Sequence, residues 1–268
     1  MEISRRGLTL MELLVSIAIL VIMILGFSRV LSQSQRVTST ATAAMRSNAS
    51  AAAIVDVIRN DIRMATQNGF LCIATKDLAG TPVPVLIVTK AGVSPSKTGS
   101  DVGTGSFVCL SLAANSATST NDILWHPEWI LASSGSAGDV WSGVDLATLQ
   151  TYSLADIEHL VDDIVDEDQS VTLSVPASSL AELGNLWHVL TTDCSDLTIE
   201  WTDGDAPSGN LEWYHKDNVS GEPFENGTSG STYRALWTKD DQTNWPKAIK
   251  INFEIDGLEY EVICPVGQ

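Results

Sequence analysis

From Leu8 to Phe27 the chain is almost unbroken in its apolarity, relieved only by Thr9, Glu12, Ser16 and Gly26. That run is 20 residues long, and about 20 apolar residues suffice for one helical crossing of a bilayer. Its acid, Glu12, would sit inside the span, where a carboxylate costs roughly 2.5–3.5 kcal/mol on insertion scales. It therefore asks for a cationic partner. Arg5 and Arg6 precede the run and are expected to stay cytoplasmic, which puts the rest of the chain outside the inner membrane. Arg29 and Arg36 follow the run and weaken that charge bias.

The helix is expected to continue beyond the membrane. No proline occurs before Pro82, and Val37, Ala41, Ala44, Asn48, Ala51, Val55, Ile58, Ile62 and Ala65 step by threes and fours along one face. A helix from Leu8 to Ala65 would hold 58 residues, roughly 87 Å at 1.5 Å per residue. Gln67-Asn68-Gly69 is its stop signal. Its first half reads as the anchor and its second half as a stripe that packs under a sheet.

The remainder reads as a β-rich head. Short strands are expected at 85–88, 107–110 and 122–125, with a Gly/Ser/Thr-rich exposed loop over 91–106. Ile157, Leu160, Val161, Ile164 and Val165 hold helical spacing behind a cap at Ser153 and Asp156, so 153–166 is a second helix. Strands follow at 171–175, 197–201, 211–214, 233–237 and 248–255, with a helical turn or two over 177–184. Asp256-Gly257 turns the chain into a hairpin whose return strand is 258–263. The fold class is α+β: a long N-terminal helix against an antiparallel sheet. The division is 1–7, an 8–66 helix and a 67–268 head.

A secretory signal would place a small-x-small cleavage site after its apolar core. Here the residues after the core are Ser28-Arg29-Val30-Leu31-Ser32-Gln33, and the glycine lies before it. Gly7-Leu8-Thr9-Leu10-Met11-Glu12-Leu13-Leu14-Val15 resembles the leader and N-terminal helix of type IV pilins and type II secretion pseudopilins. The resemblance implies a pilin-like fold, cleavage by a prepilin peptidase after Gly7, and methylation of the new N-terminus at Leu8. Leu8 itself departs from the more usual phenylalanine or methionine. Glu12 becomes the fifth mature residue. Its carboxylate would pair with the Leu8 ammonium of a neighbouring subunit, offsetting two desolvation costs and fixing the register of stacked helices. The helix end Ile58-Arg59-Asn60-Asp61-Ile62-Arg63-Met64-Ala65 is similar to J-type and PilW-like minor subunits. So is the C-terminal run Trp245-Pro246-Lys247-Ala248-Ile249-Lys250-Ile251.

Net charge is −18, and from Asp77 onward 7 Lys and Arg face 29 Asp and Glu. So acidic a head argues against a nucleic-acid partner. Four cysteines, Cys72, Cys109, Cys194 and Cys264, allow two disulfides in three connectivities in an oxidising compartment, or remain as buried thiols. Their spacing fits no zinc motif. Asp162, Asp163 and Asp166, in an acidic run to Asp168, are weak calcium candidates against a solvated helix face. Asp203-Gly204-Asp205 starts like a calcium loop but meets Pro207. No other cofactor is expected.

No GxSxG, HExxH or phosphate-loop motif occurs, and His126, His159, His188 and His215 lie in separate segments. They read as surface or packing residues. The eight tryptophans read as core and sheet-face packing.

The expected function is assembly, not catalysis. The chain would be a J-like minor pseudopilin at or near the tip of a periplasmic pseudopilus, supporting protein export. Its partners would be other minor and major pseudopilins or pilins, the prepilin peptidase and the inner-membrane assembly platform. A PilW-like minor pilin of a surface pilus and a membrane-anchored binding protein or enzyme that does not polymerise are the alternatives.

Overall fold

The computed structural model describes residues 10–78, 80–115, 120–170, 172–173, 188–204, 213–214, 234–241 and 245–266. The chain forms two compact units, Met1–Ala49 and Ser50–Gln268. The expectations for 177–184, and for the strands over 211–212 and at 233, lie outside the described residues.

The helix α1 runs from Leu10 to Arg63, 54 residues. Within the first unit several of its hydroxyl side chains donate back to the helix itself. Ser16 Oγ donates to the Glu12 carbonyl at 2.7 Å, Thr38 Oγ1 to Ser34 at 2.9 Å and Thr42 Oγ1 to Thr38 at 2.8 Å. Such back-bonding lets polar residues sit in a helix without an external partner for the hydroxyl.

In the second unit the closing turns of α1 bury Ala51, Ile54, Ile58 and Ile62. The expected stripe holds at Ala51, Val55, Ile58 and Ile62. After Arg63 the chain is tied to the second strand. Thr66 N donates to the Thr89 carbonyl at 2.9 Å, and Thr89 Oγ1 both accepts from Phe70 N at 3.1 Å and donates to the Phe70 carbonyl at 2.9 Å.

The strands of the main sheet are β1 (Phe70–Leu78), β2 (Thr81–Pro95), β3 (Val102–Asn115), β4 (Thr120–Trp125), β5 (Glu128–Ala132), β6 (Val140–Ser142), β7 (Thr172–Leu173), β8 (Val189–Thr191) and β10 (Arg234–Thr238). They run in the order β10-β1-β2-β3-β4-β8, with β5 and β7 also on β3 and β6 on β5. All pairs are antiparallel except β3 with β7 and β5 with β6. A second, three-stranded sheet has β11 (Ala248–Ile255) between β9 (Cys194–Thr202) and β12 (Leu258–Pro265). Asp256 and Gly257, both at positive φ (53° and 76°), form the expected β11–β12 hairpin turn.

Both faces of the main sheet are covered. On one, Leu71, Ile73, Leu86, Val88, Leu110 and Leu112 pack with the α1 isoleucines and with Ile199, Trp201, Ile249 and Ile251 of the small sheet. On the other, Phe70, Cys72, Ile87, Phe107 and Cys109 pack with Leu149 of the short α2 (Leu146–Leu149) and with Ile157, Leu160, Val161 and Ile164 of α3 (Leu154–Ser170). A strand buried on both faces carries a near-continuous apolar run rather than an alternating one. That is why β1, Phe-Leu-Cys-Ile-Ala-Thr-Lys-Asp-Leu, has no strand signature.

The loop expected over 91–106 is corrected: β2 extends to Pro95, β3 begins at Val102, and only 96–101 lie between them. Two of the glycines that look like a loop, Gly103 and Gly105, are strand positions under close backbone approach. A Cβ at Gly103 would lie 2.4 Å from the Leu131 carbonyl oxygen, and one at Gly105 would lie 2.6 Å from that of Lys90.

Candidate functional site

The first candidate is the N-terminal segment itself. Its large apolar side chains from Leu10 to Phe27 are all exposed, at 46–81% for those through Leu31. This stretch of α1 is the one candidate membrane span among the described residues, with a mean hydropathy of 2.7 over its best window. Glu12 lies in its first turn and is exposed. Gly7 and Leu8 lie outside the described residues. A face this apolar and this uncovered needs either lipid or other helices around it.

The second candidate was not foreseen. Asp61 projects from the buried face of α1, beside Ile58 and Ile62. Its Oδ1 lies 2.9 Å from Lys90 Nζ, and its Oδ2 lies 2.6 Å from His126 Nε2. Lys90 Nζ also reaches Glu128 Oε1 at 2.8 Å, and Glu128 is held by Ser106 Oγ at 2.8 Å and Lys97 Nζ at 3.2 Å. Burial by itself raises the Asp61 carboxyl, but the hydrogen bonds and charges of His126 and Lys90 outweigh it and hold it below the ordinary value. Glu128 is likewise pushed up by burial, and Lys90, Ser106 and Lys97 together bring it down to about 2. Burial works against the Lys90 ammonium, yet Asp61 and Glu128 raise its pKa. The cluster fastens α1 to β2 and to the β4–β5 connection. His126 is thus a hydrogen-bonding residue as well as a packing one. The cluster's only sequence signal is a helix acid, Asp61, next to the stripe residue Ile62.

Of the other histidines, His188 adjoins His126, whose backbone N donates to the His188 carbonyl at 2.8 Å. His188 stacks edge-on against Trp125 at 5.4 Å, His159 is exposed and His215 lies outside the described residues. Trp125, Trp201, Trp237 and Trp245 are buried, and Trp129 and Trp141 pack at the edge of the α3-side core. Trp187 lies outside the described residues.

Of the two readings of the cysteines, the register fits buried thiols: all four are free and buried. Cys72 pairs with Ile87, and Ile87 with Cys109, so the two are separated by a whole strand. Two inter-strand spacings make about 10 Å, beyond the roughly 7 Å that a disulfide spans between Cα atoms. Cys194 pairs with Ile255 and Cys264 with Ile249, at opposite ends of β11. The two sets also belong to the cores on opposite faces of the main sheet.

The calcium candidates Asp162, Asp163 and Asp166 are exposed on α3. Among the described residues no group of three or more His, Cys, Asp or Glu side chains converges to hold a metal. Asp205 lies outside the described residues. The last acid of the run behaves differently: Asp168 turns inward to Lys76 and is fully buried.

Comparison with known families matches residues 4–28 to the prokaryotic N-terminal methylation motif. No curated protein and no solved structure is significantly similar to the chain. The match supports a type IV pilin-like protein, and with the apolar helix it is consistent with an inner-membrane anchor and with pilins and a prepilin peptidase as partners in general.

Proposed function

We propose that this chain is a minor pilin-like subunit, a J-like pseudopilin that assembles through α1 into the pseudopilus of a type II secretion system. The observation that carries the reading is the pairing of a methylation motif at 4–28 with an apolar helix whose side chains are uncovered from Leu10 to Phe27. A prepilin peptidase cleaves Gly7–Leu8 and Leu8 is methylated. The mature chain waits in the inner membrane with its head in the periplasm. Its helix then joins those of other pseudopilins at the assembly platform, with Glu12 facing the Leu8 ammonium of a neighbour. The head acts by contact near the filament tip and not by catalysis.

The finer assignment is supported by the C-terminal segment. Pro246 and Lys247 stand immediately before β11, the penultimate strand, as in the J-type subunits that this run resembles. Trp245 Nε1 donates to the Thr238 carbonyl at 2.8 Å and Lys247 N donates to that of Thr202 at 2.7 Å, anchoring the approach.

Intact mass and N-terminal sequencing of the membrane-extracted chain, with and without a prepilin peptidase, test the reading. A chain beginning at methylated Leu8 only when the peptidase is present supports it. An uncut chain, or one cut after Phe27, overturns it. Co-purification with secretion-platform components rather than with a retraction motor supports the pseudopilus over a surface pilus.

A further inference from the structure

Lys76 on β1 and Asp168 near the end of α3 are 92 residues apart and meet in the interior. Lys76 Nζ lies 2.5 Å from Asp168 Oδ2, and both side chains are 0% exposed. Ser111 on β3 completes a triangle: its Oγ accepts from Lys76 Nζ at 3.1 Å and donates to Asp168 Oδ2 at 2.8 Å. Asp168 Oδ1 has no hydrogen-bond partner among the described residues.

As an ion pair this is a poor arrangement. Two desolvated charges recover their hydration only with good geometry and with every remaining lone pair satisfied, and here one carboxylate oxygen is orphaned. As a reaction complex it is a good one. A primary amine and a carboxyl group are held in contact, water is excluded, and a hydroxyl bridges the donor and acceptor of the proton. Holding two reactants in this way supplies the entropy that a bimolecular condensation would lose.

We propose that Lys76 and Asp168 condense to an intramolecular isopeptide bond. The Lys76 ammonium passes a proton through Ser111 Oγ to Asp168 Oδ2, leaving a neutral amine and a neutral acid. Nζ attacks Cγ, and the Nζ–Cγ bond forms as the Cγ–Oδ2 bond breaks. A second proton from Nζ leaves with Oδ2, so one water is released and nothing is oxidised or reduced. Oδ1 remains as the amide oxygen, and its orphaned position then holds a neutral carbonyl in place of a charged oxygen. The neighbouring Cys109 does not compete as nucleophile, because burial pushes its thiol pKa far up and keeps it protonated. The bond would clamp α3 to β1 across the sheet. The inference stands whether or not the chain assembles into a filament.

Intact mass of the full chain, extracted in detergent and measured denatured, decides the matter. The expected mass is lower by one water than the sequence requires after any leader removal and methylation, and a protease digest contains a branched peptide joining Lys76 to Asp168. Lys76→Arg, which keeps the cation, restores the full mass, and Ser111→Ala leaves a mixture that converts more slowly. A full-mass wild-type chain, or a loss of water that persists in Lys76→Arg, overturns the proposal. The wild-type mass and peptide map decide it even where a variant fails to fold.

Discussion

Asp61 on α1 and His126 on the β4–β5 connection are 65 residues apart and lie 2.6 Å apart in the fold, with Lys90 on the second carboxylate oxygen of Asp61. One helix acid therefore closes the joint between α1 and the sheet. Asp61→Ala leaves Lys90 with Glu128 alone and strips His126 of its partner. Breaking a buried pair costs about 3–5 kcal/mol, and the surviving Glu128 contact brings the expected loss to about 2–3 kcal/mol. Lys97→Ala, at a side chain 55% exposed, costs under about 1 kcal/mol. Denaturant unfolding of both variants checks the contrast, and equal losses would refute it.

The same cluster sets the acid limb of stability. Glu128 falls from 4.5 to about 2 in the fold, and Asp61 falls below 3.8. Carboxylates with depressed values bind fewer protons folded than unfolded. Their contribution is complete above the unfolded value and disappears as pH drops through the folded one. Stability is therefore expected to decline from about pH 5 toward pH 2, and Glu128→Gln flattens that decline. Lys90, raised above 10.5, contributes in full below that value and loses its effect only as pH rises through its folded value. Melting temperature against pH for the two proteins is the check.

Much of the fold was legible, and the misses share a cause. The α1 stripe at Ile58 and Ile62, the helix α3, and the β11–β12 hairpin announce themselves by local period and by turn residues. β1 is buried on both faces and lacks alternation, so it has no local signal. Gly103 and Gly105 carry a loop composition, but they are small because β5 and Lys90 approach their backbones. Asp61, Lys90, His126 and Glu128 belong to four segments, and no spacing in sequence reports that they converge. The N-terminal motif is the opposite case: its residues are contiguous, and the whole constellation can be read off in one stretch.

Gly105→Ala tests the close-approach reading. The new methyl would meet the Lys90 carbonyl oxygen at 2.6 Å, a backbone atom without freedom to move. Overpacking of this kind costs about 1–3 kcal/mol. Gly138→Ala, with open space at its Cβ, should be near neutral. Chemical denaturation separates the two, and a neutral Gly105→Ala would show that β2 and β3 can part without cost.

The four thiols are expected to be sheltered rather than paired. Burial pushes Cys194 up to about 12 and raises Cys264 despite the nearby Arg59 and Arg63. A thiol held protonated and covered reacts slowly with alkylating reagents. The native chain should label little at pH 8, and the denatured chain should take four labels with no reductant present. Two or no labels after denaturation would show that disulfides had formed.

Glu12 provides the sharpest test of assembly. It sits in the first turn of α1, in a segment whose apolar side chains are uncovered. Replacing it removes a carboxylate that costs roughly 2.5–3.5 kcal/mol to insert, so Glu12→Ala should enter the membrane at least as well as the natural chain. Gly7 and Leu8 are untouched, so cleavage should proceed as before. Only a role between subunits would suffer, because the Leu8 ammonium of the neighbouring chain would be left in a low-dielectric surrounding without its counter-charge. The expected result is normal processing and normal membrane content, with the subunit lost from sheared or cross-linked filaments. Glu12→Asp, which keeps the charge on a shorter stem, should restore part of the incorporation. If Glu12→Ala enters filaments as well as the natural chain does, the helix is an anchor and nothing more.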